Sequence, residues 1–334
     1  MEPLRIGILG ASRIAPNALF APADFTRDHL VAVAARDQGK AEAYATEHGI
    51  ARVLSDYRAV IDDPEVEVVY NPLANGLHGP WNIKAMRAGK HVLSEKPSAS
   101  TAAEAQRVLD VQQDTGVVFM EAFHYRYHPV MDRMVELATS GEIGTLSHVD
   151  IVMGFPLTRP SDPRWNFDLA GGSLMDVGCY AVHALRTLSS ALGGTPTVIA
   201  GTAVPHEADD RVDAELTADL ALAEGVTGHF RSSFLLQQMT FTLHLQGSTG
   251  SALAHNFCQP ALDNRITVTH GDAATTEEHG DRSSYTYQLE AFARQVRQGA
   301  PSHSDAEDAL AQAIVMDACY TAAGLPLRPE TSLL

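Results

Sequence analysis

Lysine is scarce in this 334-residue chain: four lysines stand against twenty arginines, and none follows Lys96. Base as a whole is in deficit, with 24 Lys and Arg against 41 Asp and Glu and a formal net charge of −17. Phosphate backbones would be repelled by that excess, which argues against a nucleic-acid-binding surface. No run approaches the ~18 consecutive apolar residues of a membrane helix. Three cysteines, Cys179, Cys258 and Cys319, are an odd number in a large chain, which argues against a disulfide framework. The first residues, Met1 to Leu4, enter an apolar run without a basic leader segment, so a soluble cytoplasmic protein is expected.

What is present is a globular composition, 45% hydrophobic, at a length that suggests two domains. The acid excess is uneven. Residues 1–125 carry 12 basic and 16 acidic residues, net −4; the rest carry 12 and 25, net −13. The nearly balanced first part suits a domain that holds an anion.

Through the first 120 residues, short β-branched runs at 4–9, 30–35, 66–70, 91–93 and 117–120 alternate with helix-like segments at 40–48, 77–88 and 101–115. Gly49, Gly89 and Gly116 follow those segments, where a helix C′ residue favours positive φ. This alternation predicts βαβ units and a parallel sheet. Beyond residue 125 the texture changes. A helix at 130–139, a strand at 146–155, a Gly-rich turn at 170–173 and an apolar helix at 174–192 are expected. Alternating runs at 197–204, 214–223, 226–235, 240–246 and 265–270 predict an antiparallel sheet with one covered face. Helices at 285–298 and 305–323 close the chain, and 206–211 and 271–282 read as exposed polar loops.

The first strand runs into Gly10, Ser12 and Ala15, the positions of a G-x-G-x-x-G turn. The first glycine permits the tight turn, a small second residue lets a pyrophosphate approach, and Ala is accepted third for helix packing. Backbone N–H groups at the helix start, around Arg13 and Ile14, then face the phosphates. Ser12 departs from the glycine pattern. At the end of the second strand, Arg36 suits the 2′-phosphate of NADP, with Arg13 on the facing loop; Asp37 is the competing reading, a ribose acceptor for NAD. A third possibility is a solvated Arg–Asp turn.

Lys96 follows the strand at 91–93, at the sheet edge where α/β ligands bind. A cis Lys96–Pro97 bond is expected to shape that turn. A surface Glu95–Lys96 pair is the plainer alternative.

Five stretches, 5–15, 69–78, 88–97, 120–129 and 171–180, in this order and spacing, resemble the Gfo/Idh/MocA oxidoreductases, closest to the dimeric dihydrodiol dehydrogenase and NADP-dependent D-xylose dehydrogenase branch. The resemblance implies an α/β chain with an N-terminal Rossmann domain (1–124, parallel sheet, dinucleotide-binding). A C-terminal α/β domain with a large, mostly antiparallel open sheet (125–334, substrate binding and oligomerisation) would follow. It implies hydride transfer between NADP(H), with NAD possible, and a hydroxyl or carbonyl carbon of a sugar, polyol or vicinal diol. It places Pro72, Asn75, His78 and Glu95 near the cofactor, maps the family lysine onto Lys96 and its acid onto Asp176, and sets Tyr180 where many members have histidine.

The chemistry is then direct. Oxidising an alcohol needs a base for the O–H proton, and a tyrosine of ordinary pKa about 10 becomes effective near a cation. Lys96 is expected to play that part for Tyr180. Asp176, four residues before Tyr180, shares its face on a regular helix and would orient substrate or Lys96. Tyr180 also fits a plain core aromatic. Tyr125, Arg164, Trp165 and His183 are weaker substrate candidates; a core role for His183 and a surface-loop role for the Arg164–Trp165 pair fit equally well. His124 and His128 have zinc-pair spacing, but without the H-E-x-x-H glutamate and with Pro129 following, no metal is expected. Sugar ketoreductases, oxidoreductases or glycosidases with permanently bound nicotinamide, and a cofactor-sensing regulator are the alternatives. A homodimer or homotetramer covering the open sheet face is expected.

Overall fold

Strand β1 (Arg5–Leu9) is buried along four of its five residues, as its apolar run requires. In the computed structural model, which describes residues 1–332, it lies inside a five-stranded sheet of order β2-β1-β3-β4-β5. The partners are β2 (His29–Ala34), β3 (Val68–Asn71), β4 (His91–Ser94) and β5 (Phe119–Glu121), all parallel. Parallel strands need crossovers. Helices α1 (Ala21–Thr26), α2 (Gln38–His48), α3 (Tyr57–Asp62), α4 (His78–Arg87) and α5 (Ala102–Thr115) lie in these connections. Leu9, Val69, Val92 and Phe119 of the sheet pack with Met86, Val108 and Leu109 of the helices in one core cluster. Gly49, Gly89 and Gly116 do have positive φ, at +67°, +75° and +66°.

This unit comprises residues 1–123, 285–310 and 330–334, the last two of which lie outside the described residues. Helix α8 (Ser284–Gln298) and the start of α9 (Ala306–Ala322) therefore return to it, which a linear division at 124/125 does not anticipate. The ties are long-range. Arg297 pairs with Glu67, Glu121 N donates to Ser304 O at 2.8 Å, and Arg107 meets Glu330 at 2.6 Å.

The second unit, residues 124–284 and 311–329, is built on eight strands in the order β13-β12-β11-β10-β6-β9-β8-β7. They are β6 (Leu146–Gly154), β7 (Thr197–His206), β8 (Asp209–Ala223), β9 (Val226–Ser233), β10 (Thr240–Gly247), β11 (Ser251–Ala254), β12 (Arg265–His270) and β13 (Ala273–Glu278). Only β6 and β9 pair in parallel. Helices α6 (Pro129–Thr139) and α7 (Cys179–Ala191) cover one face, onto which Val149, Ile151, Leu216, Leu220, Phe230 and Leu243 are buried. The other face carries polar side chains. Asp219, His229, Asp150 and His244 form one row across four strands in register.

Two expected loops are strands. Residues 206–211 reduce to a tight link, because β7 and β8 pair as far as His206 and Asp209. Residues 273–278 are the edge strand β13, almost wholly exposed, so no buried face imposes the alternation that would reveal it. The expected single helix at 174–192 begins instead with a π-helical turn, Leu174–Gly178, before α7.

Candidate active site

In the first unit the turn after β1 is built for close approach. Gly10 has φ +91°, its N–H donates to Ala34 O at 2.7 Å, and a Cβ there would lie 3.0 Å from Leu73 Cδ2. Ser12 replaces the second glycine with a side chain that works locally: its Oγ accepts from Ala15 N at 3.3 Å. Its carbonyl accepts from the Tyr44 hydroxyl at 2.8 Å. Ala15 is fully buried as the packing position, whereas Arg13 and Ile14 are exposed. Arg36 is exposed beyond the end of β2. Asp37 caps α2, its Oδ1 accepting from Lys40 N at 2.8 Å, so one carboxylate oxygen is already engaged. Tyr57, which the sequence reading missed, bonds the Arg36 backbone; burial raises its pKa despite the Arg36 charge. A tight glycine turn, a small packing residue and an exposed arginine at the end of β2 fit a dinucleotide with a 2′-phosphate.

Lys96 follows β4 at the C-terminal edge of the sheet, and the Lys96–Pro97 bond is cis. A buried polar network holds this turn. Tyr70 donates to Glu95 Oε1 at 2.8 Å, and Ser98 N donates to Glu121 Oε1 at 2.6 Å. Asn82 donates to Ser94 Oγ and Ser98 O, and accepts from Asn71. The His78 ring lies 2.7 Å from Pro97 O and 2.9 Å from Leu73 O. Burial lowers its pKa to about 4, outweighing the two carbonyls, so it is neutral. A neutral ring has one N–H and donates to only one of these two carbonyls, while its position sets His78 between the Lys96 turn and the Leu73 loop. Pro72 is buried and Asn75 half-buried on that same loop.

In the second unit Tyr180 is 7% exposed near the start of α7. Its hydroxyl lies 3.1 Å from His124 Nε2, and His124 Nδ1 lies 2.8 Å from Ser284 Oγ. Asp176 sits in the π-helical turn, so the regular α spacing assumed between it and Tyr180 does not apply. Its Oδ2 accepts from Arg164 Nε at 2.5 Å. The Asp176 carboxylate, foremost, holds the Arg164 guanidinium above its usual pKa. Arg164 is therefore tied to the candidate acid and is no independent loop residue. Trp165 stacks on His206, centroids 4.2 Å apart, and meets Phe234 edge-on. Tyr125 and His183 are buried and bonded to each other at 2.6 Å, with Tyr125 edge-on to Tyr180. His128 caps α6, accepting from Val130 N at 3.2 Å, which gives it a different task from His124.

The turn that starts this segment rests on two residues the sequence reading passed over. Asp213 accepts from Ser173 Oγ and Leu174 N at 2.8 and 2.6 Å, and pairs with Arg328, whose Nε donates to Gly171 O at 2.7 Å. Gly172, at φ +128°, leaves room for it: a Cβ there would fall 2.1 Å from Asp213 Oδ1. A hint existed. Val212, Asp213 and Ala214 are buried in succession, breaking the alternation of β8 at a polar residue.

Comparison with known proteins agrees with the two-sheet fold. Residues 4–123 match the oxidoreductase family NAD-binding Rossmann fold, and residues 131–253 match the GFO/IDH/MocA C-terminal domain. The chain is 35% identical over 323 residues to a D-xylose 1-dehydrogenase (NADP(+)) of Haloferax volcanii, covering 96% of this chain and 97% of that one. It is 32% identical over 260 residues to the trans-1,2-dihydrobenzene-1,2-diol dehydrogenase of Mus musculus, covering 77% and 76%. Among solved structures, a 3-ketoreductase from Actinomadura kijaniata in complex with NADP and TDP-benzene superposes with a TM-score of 0.88 at 27% identity, covering 96% and 98%. The parallel nucleotide-type sheet, the open mixed sheet and these matches establish that the chain belongs to the Gfo/Idh/MocA oxidoreductase family.

Proposed function

We propose that this protein is an NADP-dependent dehydrogenase or reductase that acts on a hydroxyl or carbonyl carbon of a sugar, polyol or vicinal diol. The observation that carries the reading is the Lys96 turn, held at the C-terminal sheet edge by Tyr70, His78, Asn82 and Glu121. So many buried hydrogen bonds around one short turn hold the backbone from which the Lys96 side chain extends. NADP, when bound, supplies the acceptor or donor of hydride.

The chain's own residues do the rest. Gly10, Ser12, Arg13 and Ile14 receive the pyrophosphate and Arg36 the 2′-phosphate, with Pro72, Asn75 and the backbone held by His78 and Glu95 shaping the nicotinamide side. Tyr180 takes the hydroxyl proton in oxidation and returns it in reduction. Lys96 supplies positive charge for the reacting oxygen, and Asp176, fixed by Arg164, orients the substrate. The excess of acid in the second part suits a neutral polyol better than a polyanion. Buried thiols at Cys179, Cys258 and Cys319 support a cytoplasmic site, and the uncovered polar sheet face supports a dimer or tetramer. Among the described residues, no helix is long and apolar enough to cross a membrane.

The test is a screen of aldoses, cyclitols and diols with NADP and NAD, followed by Lys96→Met and Tyr180→Phe on any substrate found. Both variants should lose at least about a hundredfold in kcat/KM, the scale of general acid–base catalysis. Wild-type turnover by Lys96→Met would overturn the assignment.

A further inference from the structure

Between Tyr180 and Ser284 lies one imidazole that the reaction as described does not use. His124 is 1% exposed, its Nε2 is 3.1 Å from the Tyr180 hydroxyl and its Nδ1 is 2.8 Å from Ser284 Oγ. We infer that His124 is a positioning residue for Tyr180, holding its oxygen in place and favouring its phenolate, with Ser284 orienting the ring. The inference rests on Tyr180 being the proton acceptor.

The physical argument is one of unequal hydrogen bonds. A neutral imidazole has one N–H and one lone pair. While Tyr180 is a phenol it donates to unprotonated Nε2, and Nδ1–H donates to Ser284 Oγ. Once Tyr180 is a phenolate it accepts from Nε2–H, and the Ser284 hydroxyl donates to Nδ1. Both states are satisfied, but the bond to the anion is charge-assisted and roughly twice as strong. The difference favours the phenolate, which is the form that accepts a substrate proton. Ser284 matters because it is the one hydroxyl in this set able to serve either tautomer. Around Tyr180 within this unit, the titratable groups include Tyr125 by ring contact, His183 behind Tyr125, the neighbouring Cys179 thiol, and Asp176 with its Arg164 at the preceding turn. His183 is already engaged by the Tyr125 hydroxyl, which leaves His124 as the imidazole bonded to Tyr180.

The test reads the ionisation of Tyr180 directly and needs no substrate. Tyrosinate absorbance is followed against pH in the wild type and in Tyr180→Phe, and their difference isolates Tyr180. The same pair is measured on a His124→Phe background, which keeps a ring but removes both bonds, and on a Ser284→Ala background, which keeps the imidazole. The midpoint is expected to rise by about one pH unit or more in His124→Phe, a tenfold change in acidity, and by less, in the same direction, in Ser284→Ala. Should His124→Phe fail to fold, the Ser284→Ala shift decides alone. An unmoved or lowered midpoint overturns the inference. Failure of the underlying reading looks different: Tyr180→Phe would retain turnover, whatever the titration shows.

Discussion

Asp213 and Arg328 form an ion pair in which neither side chain reaches solvent, and each also holds the same turn, Arg328 through Gly171 and Asp213 through Ser173 and Leu174. That turn opens the segment carrying Asp176 and Tyr180. Removing one partner strands a buried charge, which costs about 3–5 kcal/mol. Arg328→Met should therefore lower the urea unfolding free energy by that amount. Asp213→Asn in the same chain should recover part of the loss, because the unpaired charge is gone. A loss below about 1 kcal/mol in Arg328→Met would contradict the role.

Arg164→Gln removes the guanidinium that fixes Asp176. Charged hydrogen bonds contribute roughly 1.5–3 kcal/mol, so kcat/KM should fall about ten- to a hundredfold. NADP affinity, measured by fluorescence titration, should stay at the wild-type value. Parallel losses in both would mean that Arg164 acts through general stability.

Arg36→Ala should weaken NADP binding by about ten- to a hundredfold and leave NAD binding nearly unchanged. Asp37→Ala should instead cost about 1 kcal/mol of stability through the lost α2 cap, with little change in cofactor preference. Equal weakening of both cofactors by Arg36→Ala would refute the 2′-phosphate role.

His128 makes stability pH-dependent. Burial, ahead of its other influences, lowers its pKa from 6.5 to about 4, and its Nδ1 lone pair caps Val130 N, so the folded chain holds it neutral. The unfolded chain binds the proton first as pH falls. Stability from this site is complete above about pH 6.5 and is lost progressively towards pH 4, by at most about 3 kcal/mol. Unfolding free energies measured across that window should slope downward towards acid, and less steeply in His128→Asn, which keeps a cap without titrating.

Much of the fold was legible because its signals are local. Apolar runs and the glycines after α2, α4 and α5 mark the parallel sheet, and alternation marks the central strands of the larger one. Strand β13 escaped because an exposed edge has no face to bury. Candidate site residues could be named only where motif and element coincide, as at Gly10, Arg36, Lys96 and Tyr180. His124 was weighed only as half of a zinc pair, and set aside, because its nearest histidine is four residues away, while its partners lie 56 and 160 residues along the chain.

By itself, then, the sequence determined most of the element types, the two-sheet α/β class, the family resemblance and a cofactor reading that the NADP-bound relative shares. All of these follow from periodicity, turn chemistry and short motifs. Tertiary structure decided which polar groups meet: Asp213 with Arg328, His124 with Tyr180, Arg164 with Asp176 and His78 with the Lys96 turn. The reason is that a buried polar atom must find a partner wherever the chain brings one, and among these groups that partner is most often remote in sequence.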